Sequence, residues 1–72
     1  MNETTRKEYN LSKKTLIGKK FESIVNGKTY YAHSVAIDTE TGEFRVVYSN
    51  GIDTDEYDTT LSRFIKRFKL IN

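Results

Sequence analysis

Phe21-Glu22-Ser23-Ile24-Val25-Asn26-Gly27-Lys28-Thr29-Tyr30-Tyr31-Ala32-His33-Ser34-Val35-Ala36-Ile37 is the stretch whose reading decides the fold. Asn26-Gly27 lies between two runs rich in β-branched and aromatic residues, the strongest short-range hairpin signature. A two-residue type I′ turn needs positive φ at both central positions, which Asn and Gly tolerate. The second run alternates: Tyr31, His33, Val35 and Ile37 share one face, and Tyr30, Ala32, Ser34 and Ala36 the other. Strands are therefore expected over 21–25 and 28–37.

Reading outward in the C-terminal direction, Asp38-Thr39-Glu40-Thr41-Gly42 is a polar turn, and residues 43–49 form a third strand with Phe44, Val46 and Tyr48 on one face. Asn50-Gly51 repeats the hairpin signal and predicts a fourth strand over 52–57. From residue 59 the period changes. Leu61, Phe64, Ile65 and Phe68 fall at i, i+3, i+4 and i+7, the stripe of an amphipathic helix over 59–69, with Thr59 or Thr60 as its cap. Toward the N-terminus, residues 11–17 predict one or two helical turns that bury Leu11, Leu16 and Ile17 and stop at Gly18. Residues 1–10 carry no apolar period and read as a mobile arm.

The chain thus reads as one α+β domain, mainly β, over residues 1–72. A three- to four-stranded antiparallel meander over 19–58 is followed by a C-terminal amphipathic helix packed on one face or closing one end. With 72 residues its core is thin. Five Tyr and four Phe nevertheless supply the apolar surface that a disordered chain lacks. There is no cysteine, so disulfides, thiolate metal sites and cysteine nucleophiles are excluded. The absence of disulfides, of a signal-like leader and of any membrane-spanning apolar run leads to the expectation of a cytoplasmic protein away from membranes.

Charge is segregated along the chain. Residues 1–28 hold seven Lys/Arg and three Asp/Glu, residues 29–58 hold Arg45 against seven acids, and residues 59–72 hold four bases and no acid. The modest net +2 conceals this pattern. Such fields steer partners and say nothing of the fold.

The Tyr-rich strand from Thr29 to Ile37, the Glu40-Thr41-Gly42-Glu43 turn, the Val46-Val47-Tyr48 strand and the closing Leu61 and Phe64 resemble a small bacterial and phage domain family of unknown function. The resemblance runs from about residue 19 to 68. It implies a compact, mainly β domain of SH3-like size, partly closed, and supplies no activity. The family carries Trp followed by Arg-Pro before its closing Leu. Tyr57-Asp58-Thr59-Thr60 stands there in this chain, so the family's ligand-facing aromatic and arginine are altered.

Several constellations invite a chemical reading. His33 is the single histidine. A general base or metal ligand is one reading, and a packed or edge residue on an alternating strand is the favoured one. Asp53, Asp55, Glu56 and Asp58 lack the Gly and Glu positions of an EF-hand loop. They read instead as an acidic hairpin facing a basic partner, or as a solvated edge. Tyr30, Tyr31, Tyr48 and Tyr57 are candidate aromatic anchors. Arg63, Lys66, Arg67 and Lys69 offer a phosphate-binding surface or simply a solvated helix face. No catalytic set, phosphate loop, metal site or cofactor motif is found. The sequence therefore favours a non-enzymatic protein-binding module acting on a basic surface. Nucleic-acid or nucleotide binding through the basic helix is the alternative, and a structural homo-oligomer is the third reading.

Overall fold

The computed structural model describes residues 3–52 and 54–71. The chain runs α1 (Glu3–Leu16), β1 (Lys20–Ser23), β2 (Thr29–Ile37), β3 (Phe44–Ser49), β4 (Tyr57–Thr60), α2 (Leu61–Arg67) and β5 (Phe68–Leu70). The strands form one antiparallel sheet in the order β4-β3-β2-β1-β5. β1 to β4 are the expected meander, and β5 returns to the far edge beside β1. The sheet is open, with β4 and β5 as its edges rather than joined. The α+β class with a C-terminal helix therefore stands, without closure into a barrel.

Five boundaries differ from the sequence reading, each for a physical reason. The expected arm over 1–10 is helical from Glu3 onward. Its anchor is Tyr9, whose hydroxyl donates to the Val35 carbonyl at 2.9 Å and whose ring meets Phe44 edge-on at 5.7 Å. The helix thus rests on the sheet through Tyr9 and Leu16, while Leu11 is 61% exposed rather than buried.

The first hairpin loop is longer than a two-residue turn. Ser23 N donates to Lys28 O at 2.9 Å, and Gly27 N donates to Ser23 O at 2.8 Å. Gly27 has φ +72°, as expected, but no non-glycine residue has positive φ among those described, so Asn26 is not in a type I′ turn. Its side chain caps the loop by accepting from Lys28 N at 2.9 Å.

The fourth strand begins at Tyr57 rather than at residue 52, because residues 50–52 and 54–56 are not extended strand. Ile52 therefore contributes nothing to the core. The helix expected over 59–69 is shorter. Thr60 caps it, its Oγ1 accepting from Arg63 N at 3.3 Å, and Phe68 adopts extended backbone and opens β5. Of the predicted stripe, Phe64 and Phe68 are buried and Leu61 packs against them, but Ile65 is 63% exposed.

The last difference lies inside β2. A bulge shifts its register against β3 between Ala32 and Ser34. An extra residue in one strand reverses the alternation that follows it. Ala32, opposite Tyr48, and Val35, opposite Val46, therefore point to the same side, although strict alternation places them on opposite faces. The sheet gains one continuous apolar face, on which Phe21, Ala32, Val46, Phe64 and Phe68 form the core. Both helices cover that face. The reverse face carries Tyr31, Ser34, Val47 and Arg45, with two ion pairs across neighbouring strands. Arg45 Nε lies 2.8 Å from Asp58 Oδ2, and Lys69 Nζ 3.2 Å from Glu22 Oε1.

Candidate functional site

An aromatic cleft opens beside the C-terminal end of α2. Two local features build its walls. On one side, Ser23 pairs with Phe68 across β1 and β5, and Ile24 N donates to Arg67 O at 2.8 Å. These contacts hold the 24–27 loop against the end of the helix. On the other side, Tyr48 pairs with Tyr57 across β3 and β4, their rings 5.7 Å apart and tilted by 35°. Tyr30 closes the floor. Its ring stands at 81° to Tyr48 (5.6 Å) and at 82° to Phe68 (5.4 Å). The resulting space is about 320 Å³ and is lined by Ser23, Val25, Asn26, Tyr30, Tyr48, Tyr57, Arg67 and Phe68.

The polar groups at this cleft are placed by the same elements. Asn26 Nδ2 donates to the Tyr30 hydroxyl at 3.3 Å. Arg67 stands at the helix end and is exposed. The Tyr48 hydroxyl is pushed above its ordinary pKa of 10.0, chiefly by burial and then by Tyr30. Arg67 opposes the shift, while Tyr57 and Asp58 add to it. The folded state thus prefers the neutral phenol. Its contribution is intact below 10.0, where folded and unfolded chains are both protonated. It is lost as pH rises further, because the unfolded chain releases the proton first. Alkaline titration should therefore destabilise the protein above pH 10.0. Tyr48→Phe keeps the ring and should flatten that limb. An unchanged alkaline limb in this variant would place the titrating group elsewhere.

The structure divides the candidate residues. Tyr30, Tyr48 and Tyr57 converge in the cleft, whereas Tyr31 lies on the opposite sheet face, its ring against Gly51. Of the acidic hairpin, Asp53 lies outside the described residues. Asp55 and Glu56 sit in the exposed loop that leads into Tyr57, where a shallow hollow is shared by His33, Ser49 and Thr54. Asp58 is held by Arg45, and this hydrogen bond, with the attendant charge attraction, keeps the Arg45 guanidinium more firmly protonated. The basic set is split as well. Arg63, Lys66 and Arg67 are exposed on α2, but Lys69 lies on β5 and pairs with Glu22 on the other face of the sheet.

His33 belongs to the bulge, with Nε2 2.6 Å from Ser49 Oγ. Ser49 is buried, so this contact ties β2 to β3 at the irregular point of the ladder. Among the described residues no group of three or more His, Asp or Glu side chains is arranged to hold a metal. No helix among them is long and apolar enough to cross a membrane.

Sequence reasoning did not place Val25, Asn26 and Phe68 at this site. Asn26-Gly27 marked the loop, but only the β1–β5 pairing, between residues far apart in sequence, brings that loop to Arg67 and the tyrosines. Comparison with protein families, curated proteins and solved structures gives no match.

Proposed function

We propose that this protein is a non-enzymatic protein-binding module whose working surface is the aromatic cleft together with the adjoining acidic loop. The observation that carries the proposal is the convergence of Tyr30, Tyr48, Tyr57 and Phe68 in one cleft, with Asp55 and Glu56 in the exposed loop that leads into Tyr57. Buried aromatic anchors dominate interface energies, and Tyr is enriched among them. Neighbouring acidic side chains accelerate encounter with a basic surface and set its orientation. The resemblance noted from the sequence supports a role as a cytoplasmic accessory or host-modulating protein of a phage or other mobile element. The test is capture of a partner by the intact chain and by the double variant Asp55→Lys, Glu56→Lys. Both positions are exposed, and a cooperative melt of the double variant checks its fold. Capture should be lost. Undiminished capture by the double variant would remove the acidic loop from the interface.

A second reading has its own support, since Arg67 lines the same cleft as the tyrosines. Stacked bases with a phosphate on Arg67 would make this a single-stranded nucleic-acid site. Binding would then fall steeply with salt and with Lys66→Glu, Arg67→Glu. The open edges of β4 and β5 support self-association by strand pairing as a third mode.

A further inference from the structure

Resting on the cleft alone and not on the acidic loop, we propose that the cleft binds a planar aromatic group carrying one carboxylate. Free aromatic acids and an aromatic residue at the end of a polypeptide share that chemistry. Three observations lead there. The first is hydrogen-bond polarity. Arg67 lines the cleft as a donor-only group and has no ion pair among the described residues. Ser23 is 5% exposed, and its Oγ accepts from Val25 N at 3.2 Å and from Asn26 N at 3.4 Å. The Tyr30 hydroxyl accepts from Asn26 Nδ2. Both oxygens thus serve as acceptors within the protein, and each keeps a proton that no described residue accepts. Burial holds Tyr48 as a neutral phenol, a further donor. A cleft of donors favours a ligand that brings acceptor oxygens.

The second observation is charge. Among the described residues, Arg67 is the only charged one that lines the cleft. Asp55 and Glu56 line a separate hollow with His33 and Ser49 on the other side of the sheet, and Asp58 is held by Arg45 on that side too. The carbonyl end of a helix repels anions, but here it is capped. Arg67 O accepts from Ile24 N at 2.8 Å, and Phe64 O accepts from Phe68 N. One guanidinium forks onto one carboxylate with matched charge. A phosphate monoester carries about −1.5 to −2 at neutral pH and would stay partly unneutralised. A polynucleotide needs a track of cations, whereas Lys69 is paired with Glu22 on the reverse face.

The third observation is the ring surface. Tyr48 and Tyr57 are tilted only 35° from one another, while Tyr30 and Phe68 stand nearly perpendicular to each other. An incoming ring therefore meets faces and edges, the two arrangements aromatic pairs prefer. Tyr57 is 42% exposed, so part of this surface is open to a ligand. A space of about 320 Å³ lies at the small end of ligand clefts and suits one ring with its acid.

The experiment is an NMR titration of the intact chain with N-acetylphenylalanine. The comparison ligands are its amide, N-acetylalanine, uridine monophosphate and a hexapeptide ending in phenylalanine with a free carboxylate. The expected result is saturable change at Ser23, Asn26, Tyr30, Tyr48 and Arg67. The amide, which lacks the charge, and N-acetylalanine, which lacks the ring, should each bind about tenfold more weakly. Arg67→Ala should erase the preference for acid over amide, and Tyr48→Phe, which keeps the ring, should weaken the acid. Arg67 is exposed and its backbone bond to Ile24 survives the substitution, and a cooperative melt checks each variant. Tighter binding of the hexapeptide than of N-acetylphenylalanine assigns the site to a chain terminus, and equal or weaker binding assigns it to a free acid. No saturable change with either, equal affinity for the amide, or acid preference that persists in Arg67→Ala would overturn the proposal. So would tighter binding of uridine monophosphate. If the aromatic acids fail while partner capture still depends on Asp55 and Glu56, the carboxylate inference falls and the protein-binding reading survives.

Discussion

Phe64→Ala is expected to cost about 3–5 kcal/mol, the usual range for truncating a buried aromatic. Phe64 is 1% exposed and belongs to the core cluster. It stacks on Phe68 at 4.5 Å and 19°, meets Phe21 edge-on at 4.9 Å and reaches Tyr48 at 5.6 Å. It is therefore the side chain through which α2 holds β1, β3 and β5 together. A small domain has about 5 kcal/mol or little more to lose, so the variant should be largely unfolded at room temperature. Ile65→Ala, one residue along and exposed, should shift stability by about 0.5 kcal/mol or less. Chemical denaturation of the two variants measures the contrast. Equal midpoints would show that α2 does not seat its aromatic side in the core.

Gly51→Val carries the second large effect. The backbone at Gly51 has φ +77°, a region a β-branched residue enters only with strain of about 1–3 kcal/mol. A Cβ there would also lie 2.9 Å from the Tyr31 ring, so the ring must turn away from the β3–β4 loop. At Gly27, with φ +72°, a Cβ meets nothing within 4 Å. Gly27→Val should therefore pay the backbone strain alone and be the milder change. Thermal melts of both variants test this order, and a reversed order would show that Tyr31 yields freely. Because Tyr31 lies on the face away from the cleft, its displacement should leave ligand binding at Tyr30 and Tyr48 intact.

The fold was legible wherever a local signal sufficed. Asn26-Gly27 lay at a hairpin tip, Gly18 ended a helix, Thr60 capped another, and Phe44, Val46 and Tyr48 shared a face. What escaped was set by distant partners. α1 begins at Glu3 although its seat on the sheet rests on Tyr9 and Leu16, with polar Thr5 and Ser12 completing the same half-buried stripe, too few apolar residues to show a period. Phe68 continued the helical spacing perfectly well. It becomes extended because β1 offers an unpaired edge. The candidate site was half legible. The tyrosines were found, but the bulge at His33 decides that Tyr30 faces the same side as Val35, and no pattern in the sequence marks a bulge. Alternation alone separates Tyr31 from Tyr30, but it puts Val35 on the side of Tyr31.

The β1–β5 ladder also orders events in time. It pairs Phe21 with Leu70, residues far apart in the chain, whereas β2 and β3 are joined by a short turn in which Asp38 N donates to Glu43 O at 2.8 Å. Closing a long loop costs more entropy than closing a short one, so the central hairpin is the natural nucleus and β5 docks late. Contacts that form after the rate-limiting barrier govern the speed of unfolding and leave the speed of folding nearly untouched. β5 is thus the timer of the native state. Because it also holds the 24–27 loop against Arg67, each excursion in which it detaches dismantles one wall of the cleft, and the lifetime of the site is bounded by the lifetime of a three-residue strand.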